Sequence, residues 1–167
     1  MLWSKLKKLV EANFVDSMQN KVSLHSTRYG NCSCGHAWIM FDKKKIANFC
    51  TVAYFNFYRF RSTPENWKNF KSTQVYLKRN LKYKNYLCDY GEINRQDFYK
   101  SCWEYIHVLD IKSALSSGNI ILEALAILDK KIGKNKLMRI DPNQLHSLAA
   151  FLLTERKKAE AKSKEQI

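Results

Sequence analysis

A chain of 167 residues, 46% hydrophobic and 13% aromatic, carries enough apolar surface for one packed domain and too much for general disorder. Its 29 Lys and Arg against 15 Asp and Glu give a net charge of +14, a balance that draws phosphate backbones and other polyanions toward the surface. No run of about 18 apolar residues is present, which argues against a membrane-spanning helix. Lys5, Lys7 and Lys8 interrupt the apolar residues at the N-terminus, which argues against a signal-peptide core.

Five cysteines without a secretion signal fit reduced thiols, so a cytoplasmic location is expected. The segment after Thr154, ERKKAEAKSKEQI, mixes charges of both signs and reads as a frayed tail over 155–167 behind a single domain over 1–154.

In chain order, Trp3, Leu6, Val10 and Phe14 recur at helical spacing and predict an amphipathic helix over Leu2 to Phe14. Val22 and Leu24 then alternate with Ser23 and His25, and the run continues through Thr27 and Tyr29 to a break at Gly30-Asn31. This is a first strand. His36 to Asp42 is apolar on both parities, which predicts a central strand covered on more than one side. After a turn at Asp42-Lys43-Lys44, Ile46 to Cys50 forms a third strand with Ala47 and Phe49 on one face. The three make an antiparallel meander.

From Val52 to Arg61 the chain is dense in rings: Tyr54, Phe55, Phe57, Tyr58 and Phe60. Ser62-Thr63-Pro64-Glu65 then opens a long basic helix carrying Lys78, Arg79 and Lys82, which ends near Tyr90-Gly91. Asn94 caps a helix with Phe98, Cys102, Tyr105, Ile106 and Leu109 on its apolar side. Asp110 to Ser116 is a short helix. Asn119 caps a third helix, in which Ile121, Leu125, Leu128 and Ile132 lead to an end at Gly133. Asp141-Pro142 opens a last helix with Leu145, Leu148, Ala149 and Leu152. The fold class is therefore α+β, a three-stranded antiparallel meander packed against a majority of helices.

Candidate chemistry is sparse. Cys32, Cys34 and His36, with His25 nearby, are ligand types suited to zinc, but the first pair is spaced too closely and a second pair is missing, so no metal or other cofactor is predicted. Cys50 and Cys102 are thiols that a histidine such as His25 or His107 would activate. Both lie in apolar-periodic segments and read as core. No paired carboxylates, nucleophile elbow or glycine-rich phosphate loop stand out, so the reading leans away from an enzyme, whose cleft would have to be one not visible in the sequence.

The basic residues Arg28, Lys43, Lys44, Lys45, Lys78, Arg79 and Lys82 form the candidate nucleic-acid surface. Tyr29 and Trp38 are candidates to stack bases, although core packing is the reading taken for Trp38. The order helix, strand, strand, strand, helix is also that of double-stranded-RNA-binding domains, which read shape and phosphates. Non-enzymatic nucleic-acid binding is thus the leading function. The alternative is an interaction module or homodimer using the rings between Tyr54 and Phe60.

L-W-S-K-L-K-K-L-V-E, H-S-T-R-Y, W-I-M-F-D, I-A-N-F-C-T and I-I-L-E-A-L-A-I-L-D-K-K-I-G-K-N-K-L resemble a family of small uncharacterised bacterial proteins. The similarity runs from Leu2 to about Leu137 and carries no catalytic or binding residue with it. The Lys, Asn and aromatic richness is similar to that of proteins encoded on mobile gene cassettes.

Overall fold

A computed structural model of the chain describes residues 1–30, 34–55, 86–88 and 92–162. Helix α1 (Trp3–Glu11) and a short α2 (Asp16–Gln19) precede strands β1 (Val22–Arg28), β2 (Gly35–Phe41) and β3 (Lys44–Cys50). Residues 51–55 are helical. Then come α3 (Arg95–His107), α4 (Ile111–Leu115), α5 (Ile120–Leu128), α6 (Lys134–Met138), a 3₁₀ turn (Pro142–Gln144) and α7 (Ser147–Lys162). The α+β class expected from the sequence is the class observed. Among the described residues, no helix is long and apolar enough to cross a membrane.

The sheet is a meander in the order β1-β2-β3 with both pairs antiparallel. Asp42 and Lys43 both have positive φ, 45° and 65°, the backbone that a tight two-residue hairpin requires, so the turn is shorter than the sequence suggests and Lys44 already belongs to β3. β2 is central as expected. Its burial nevertheless alternates strictly, with Ala37, Ile39 and Phe41 in the core and His36, Trp38 and Met40 half-buried on the other face. Among the described residues, α1, α2 and α3 pack on the face of Ala37, Ile39 and Phe41, and the His36, Trp38 and Met40 face is the less buried of the two along β2.

That face meets α1, α2 and α3. Phe49 stacks on Phe98 at 5.3 Å and Trp3 meets Phe98 at 5.5 Å. Leu6 and Val10 are the buried stripe of α1, each stabilising the fold by about 1.5–3 kcal/mol. On the far side α5 is buried from Ile121 to Leu128 among α3, α4 and α7, with Glu123 the one charged residue of the run, its carboxylate accepting the His146 N–H.

The caps read from the sequence are in place. The side chains of Asn94, Asp110 and Asn119 accept the main-chain N–H groups of Asp97, Ser113 and Ile121 respectively. Three boundaries differ. The α5 helix stops at Leu128 rather than running on to Ile132, because Asp129 turns extended and pairs with Phe14. Gly133 accordingly precedes α6 instead of closing α5. Asp141-Pro142 opens only a 3₁₀ turn, broken at the extended Leu145, before α7.

The largest departure lies at the end of the described chain. The sequence predicts a frayed segment from Glu155, yet α7 continues to Lys162 and Arg156 is 1% exposed. Its guanidinium donates to the carbonyls of Ile127 at 2.7 Å, Asp129 at 2.9 Å and Ile132 at 2.7 Å, and its Nε to Glu160 at 2.6 Å. It supplies the donors that the carbonyls at the end of α5 lack.

Glu11 reaches across from α1, and its Oε1 accepts the Leu24 N–H of β1 at 2.8 Å. Burial, the largest influence, raises its pKa above the ordinary glutamate value against the opposing pulls of the Leu24 N–H and Lys7. A raised carboxyl pKa means that the folded chain holds this proton more tightly than the unfolded chain. The group's contribution to stability is therefore full at low pH and declines as pH rises through the ordinary and then the raised value. Glu11→Gln, which keeps an oxygen for Leu24, is expected to raise Tm at about pH 7 and to shift it much less at about pH 4. Equal shifts at the two pH values in differential scanning calorimetry would refute this.

Candidate functional site

The sheet face opposite α1, α2 and α3 carries a cluster of polar and aromatic groups, and a β-bulge decides which ones. Asp42-Lys43 pairs Phe41 with Lys44 and Met40 with Lys45, but the register shifts between Ile39 and Met40, so that Ile39 lies opposite Ala47, Trp38 opposite Asn48 and His36 opposite Cys50. One extra residue in a strand reverses the parity beyond it. Lys45 before the bulge and Asn48 and Cys50 after it thus share one face, while Ala47 and Phe49 enter the core.

Trp38 is the centre of this face, which corrects its sequence reading as a core residue. His25, directly opposite on β1, stacks on the indole at 5.0 Å with the planes 5° apart. From β3, on the other side, Lys45 sets its ammonium 4.9 Å from the ring centroid, a cation–π contact. His36 meets the indole edge-on at 5.9 Å. His25 Nε2 also lies 2.9 Å from Ser23 Oγ. Burial first, then the charges of Lys7 and Lys45, lower the His25 pKa.

Next to the indole, Tyr29, His36 and Asn48 form a hydrogen-bonded chain. The Tyr29 hydroxyl is 2.9 Å from His36 Nδ1, and His36 Nε2 contacts Asn48 Oδ1. The amide oxygen only accepts, so Nε2 carries the hydrogen, Nδ1 is the acceptor and the Tyr29 hydroxyl donates. This neutral form agrees with a His36 pKa lowered mainly by burial, with the Asn48 bond opposing and the Lys45 charge adding to the depression. Asn48 is 1% exposed, whereas Tyr29 is 42% exposed. The Asn48 Nδ2 group is buried without a hydrogen-bond partner. Tyr29 Oη also lies 3.7 Å from Cys50 Sγ.

Gly35 leads into this cluster, and its N–H donates to Thr51 Oγ1 at 3.2 Å. A Cβ there would lie 2.1 Å from the Thr27 carbonyl oxygen and 2.5 Å from Arg95 Cδ, so only glycine fits.

The described members of the predicted basic set do not converge. Arg28 pairs with Gly35 at one end of β2, and Lys44 with Phe41 at the other, about 20 Å apart at strand spacing. Lys43 is exposed in the turn at the Lys44 end, and of these four Lys45 reaches the Trp38 cluster. Lys78, Arg79 and Lys82 lie outside the described residues.

His36 is engaged by Tyr29 and Asn48, His25 by Ser23 and Trp38, and Cys32 lies outside the described residues. Among the described residues no group of three or more His, Cys, Asp and Glu is placed to hold a metal. Cys102 is fully buried, and burial pushes its thiol pKa far above the ordinary value, which leaves it protonated and unreactive. His107 packs on Trp103 at 4.9 Å.

Tyr29 and Trp38 stand out in the sequence as rings. Asn48 does not, and no signal in the sequence alone marks it, because its place depends on the bulge.

Compared with known proteins, the chain matches the model of the SF0329 protein family over residues 2–157, further toward the C-terminus than the resemblance read from its motifs. No curated protein and no solved structure matches.

Proposed function

The chain belongs to the SF0329 protein family, and from the sheet face described above we propose that it binds single-stranded nucleic acid. The observation that carries this reading is the accessible Tyr29 ring beside the Trp38, His25 and Lys45 cluster on a three-stranded sheet. Bases stack on rings presented by a sheet, and a basic surround holds the backbone, a combination suited to single strands. His25 and Lys45 already contact the indole, and Tyr29 is the more exposed ring, so Tyr29 is the first platform and Trp38 becomes one if Lys45 moves onto a phosphate. Of the described basic candidates Lys45 shares this face, whereas Arg28, opposite Gly35, and Lys44, opposite Phe41, have the parity of the helix-packed face, so Lys45 is the group that would meet the backbone of a strand stacked on Tyr29. A bacterial origin and carriage on a mobile gene cassette belong to the same proposal.

Fluorescence anisotropy with labelled poly(dT), poly(U) and a duplex of equal length tests it. Both single strands are expected to bind more tightly than the duplex, and affinity is expected to fall steeply with salt. Lys45→Ala is expected to reduce the salt slope by about 0.7, the value for one phosphate no longer neutralised. Absence of binding even at low salt, or a preference for the duplex, would reject the reading.

A second reading has one observation of its own. Phe55, on the helical turn over 51–55, is 45% exposed and lies 5.7 Å from the half-buried Tyr54, and these two are the described part of the aromatic surface expected to bind another chain. Phe57, Tyr58 and Phe60 lie outside the described residues. A stable dimer in light scattering that persists at high salt would favour this reading.

A further inference from the structure

The chain Tyr29–His36–Asn48 has the order of a nucleophile, a base and a group that orients the base. Each member has the property its place requires. Tyr29 is accessible, and its hydroxyl proton already points at a ring nitrogen. His36 has its other nitrogen fixed, so its lone pair faces the phenol. Asn48 is buried, and the fold leaves its Nδ2 without a partner while Oδ1 holds the imidazole. Lys45 places a positive charge within electrostatic reach of both His25 and His36.

Building on the single-strand reading, we infer that Tyr29 attacks a phosphodiester of the bound strand, with His36 as its base and Asn48 as the positioning residue. As the Tyr29 oxygen bonds to phosphorus, its proton passes to His36 Nδ1. The bond from phosphorus to one sugar oxygen breaks in line with the attack; the departing oxygen takes a proton from water on that side, and the imidazolium gives its proton back to solvent, so protons balance. One part of the strand remains on Tyr29 through a new phosphodiester, and the other leaves as an alcohol. Attack by that alcohol reverses the step, so neither an oxidant nor a nucleotide cofactor is consumed. Lys45 partly neutralises the charge on the phosphoryl oxygens.

The test uses a reporter that does not depend on base sequence. Incubation with thymidine 5′-(4-nitrophenyl phosphate) is expected to release 4-nitrophenolate in a burst of at most one equivalent per chain. Mass spectrometry of the wild-type protein is expected to find a thymidylyl group on Tyr29. Tyr29→Phe is expected to abolish both signals, and His36→Gln to slow the burst by at least about 100-fold. The burst rate is expected to hold through neutrality and to fall only on acidification below the ordinary histidine pKa, because burial keeps His36 neutral. Asn48→Ala is expected to move that acid limb as well as lower the rate, which a purely structural role would not do.

A burst retained in Tyr29→Phe, or an adduct mapped elsewhere, overturns the inference. So does single-strand binding by the wild-type chain with neither burst nor adduct, an outcome that leaves the binding reading standing. Failure of the wild-type chain to bind poly(dT) or poly(U) at low salt removes both.

Discussion

Replacing Arg156 with methionine is expected to lower the stability of the chain by about 3–5 kcal/mol. Methionine keeps the aliphatic stem of Arg156 but not the guanidinium, so the loss combines the missing hydrogen bonds with the space the planar group filled. The carbonyls of Ile127, Asp129 and Ile132 lose their donors together in a place where the residue they faced is 1% exposed. A buried acceptor left without a partner costs about 1–3 kcal/mol, and Glu160 is left with an uncompensated charge beside them. Tyr105 shares the neighbourhood: its hydroxyl donates to Asp129 at 2.5 Å, and burial together with that carboxylate holds the phenol far above its usual pKa. Glu160→Gln is expected to cost much less, because the guanidinium keeps its three carbonyls. Urea unfolding of the two variants checks this, and a loss below about 1 kcal/mol for Arg156→Met would mean that the carbonyls find other donors.

Substitution of Gly35 by alanine is the second change expected to have a large effect, about 3 kcal/mol, at the upper end for overpacking. One of the two atoms it strikes is the Thr27 carbonyl oxygen, at 2.1 Å, and backbone oxygen cannot swing aside as a side chain can. The β1–β2 register must yield locally, and His36 is the next residue. Loss of stability should therefore come with displacement of the Tyr29–His36 bond, visible as a change in the His36 ring resonances by NMR. Gly133→Ala, where an added Cβ meets nothing within 4 Å, is expected to cost no more than about 1 kcal/mol, as for an alanine in a helix-capping position. A Gly35→Ala protein that unfolds like the wild type, with unchanged histidine resonances, would show that the hairpin absorbs the methyl group.

These two residues mark the limits of what is legible in the sequence. Asn94, Asp110 and Asn119 are recognisable as caps because a cap and the N–H it accepts lie two or three residues apart, within the span that local chemistry governs. The meander is legible for the same reason, from alternation and a turn. Arg156 reads as part of a charged tail because its partners stand 24 to 29 positions earlier, and nothing in ERKK separates a buried guanidinium from a solvated one. The site is hidden in a third way. Trp38 and Met40 make β2 look apolar on both faces, and the parity of Asn48 and Cys50 depends on a one-residue bulge that no spacing announces. Tyr29 and Trp38 can be named as rings, but the hydrogen-bonded chain running from Tyr29 to Asn48 requires the register.

The Glu11 carboxylate has a counterpart across the sheet. Leu87 donates its N–H to the Ile46 carbonyl at 2.8 Å, at the bulge on the β3 edge, while Glu11 takes the Leu24 N–H on the β1 edge. An unpaired strand edge is a template on which another chain can grow, the usual route to edge-to-edge aggregation. Here each margin is interrupted near its middle, once by a side chain and once by main chain. A neighbouring molecule approaching as an added strand meets a blocked ladder on either side, which leaves the faces, not the margins, for recognition.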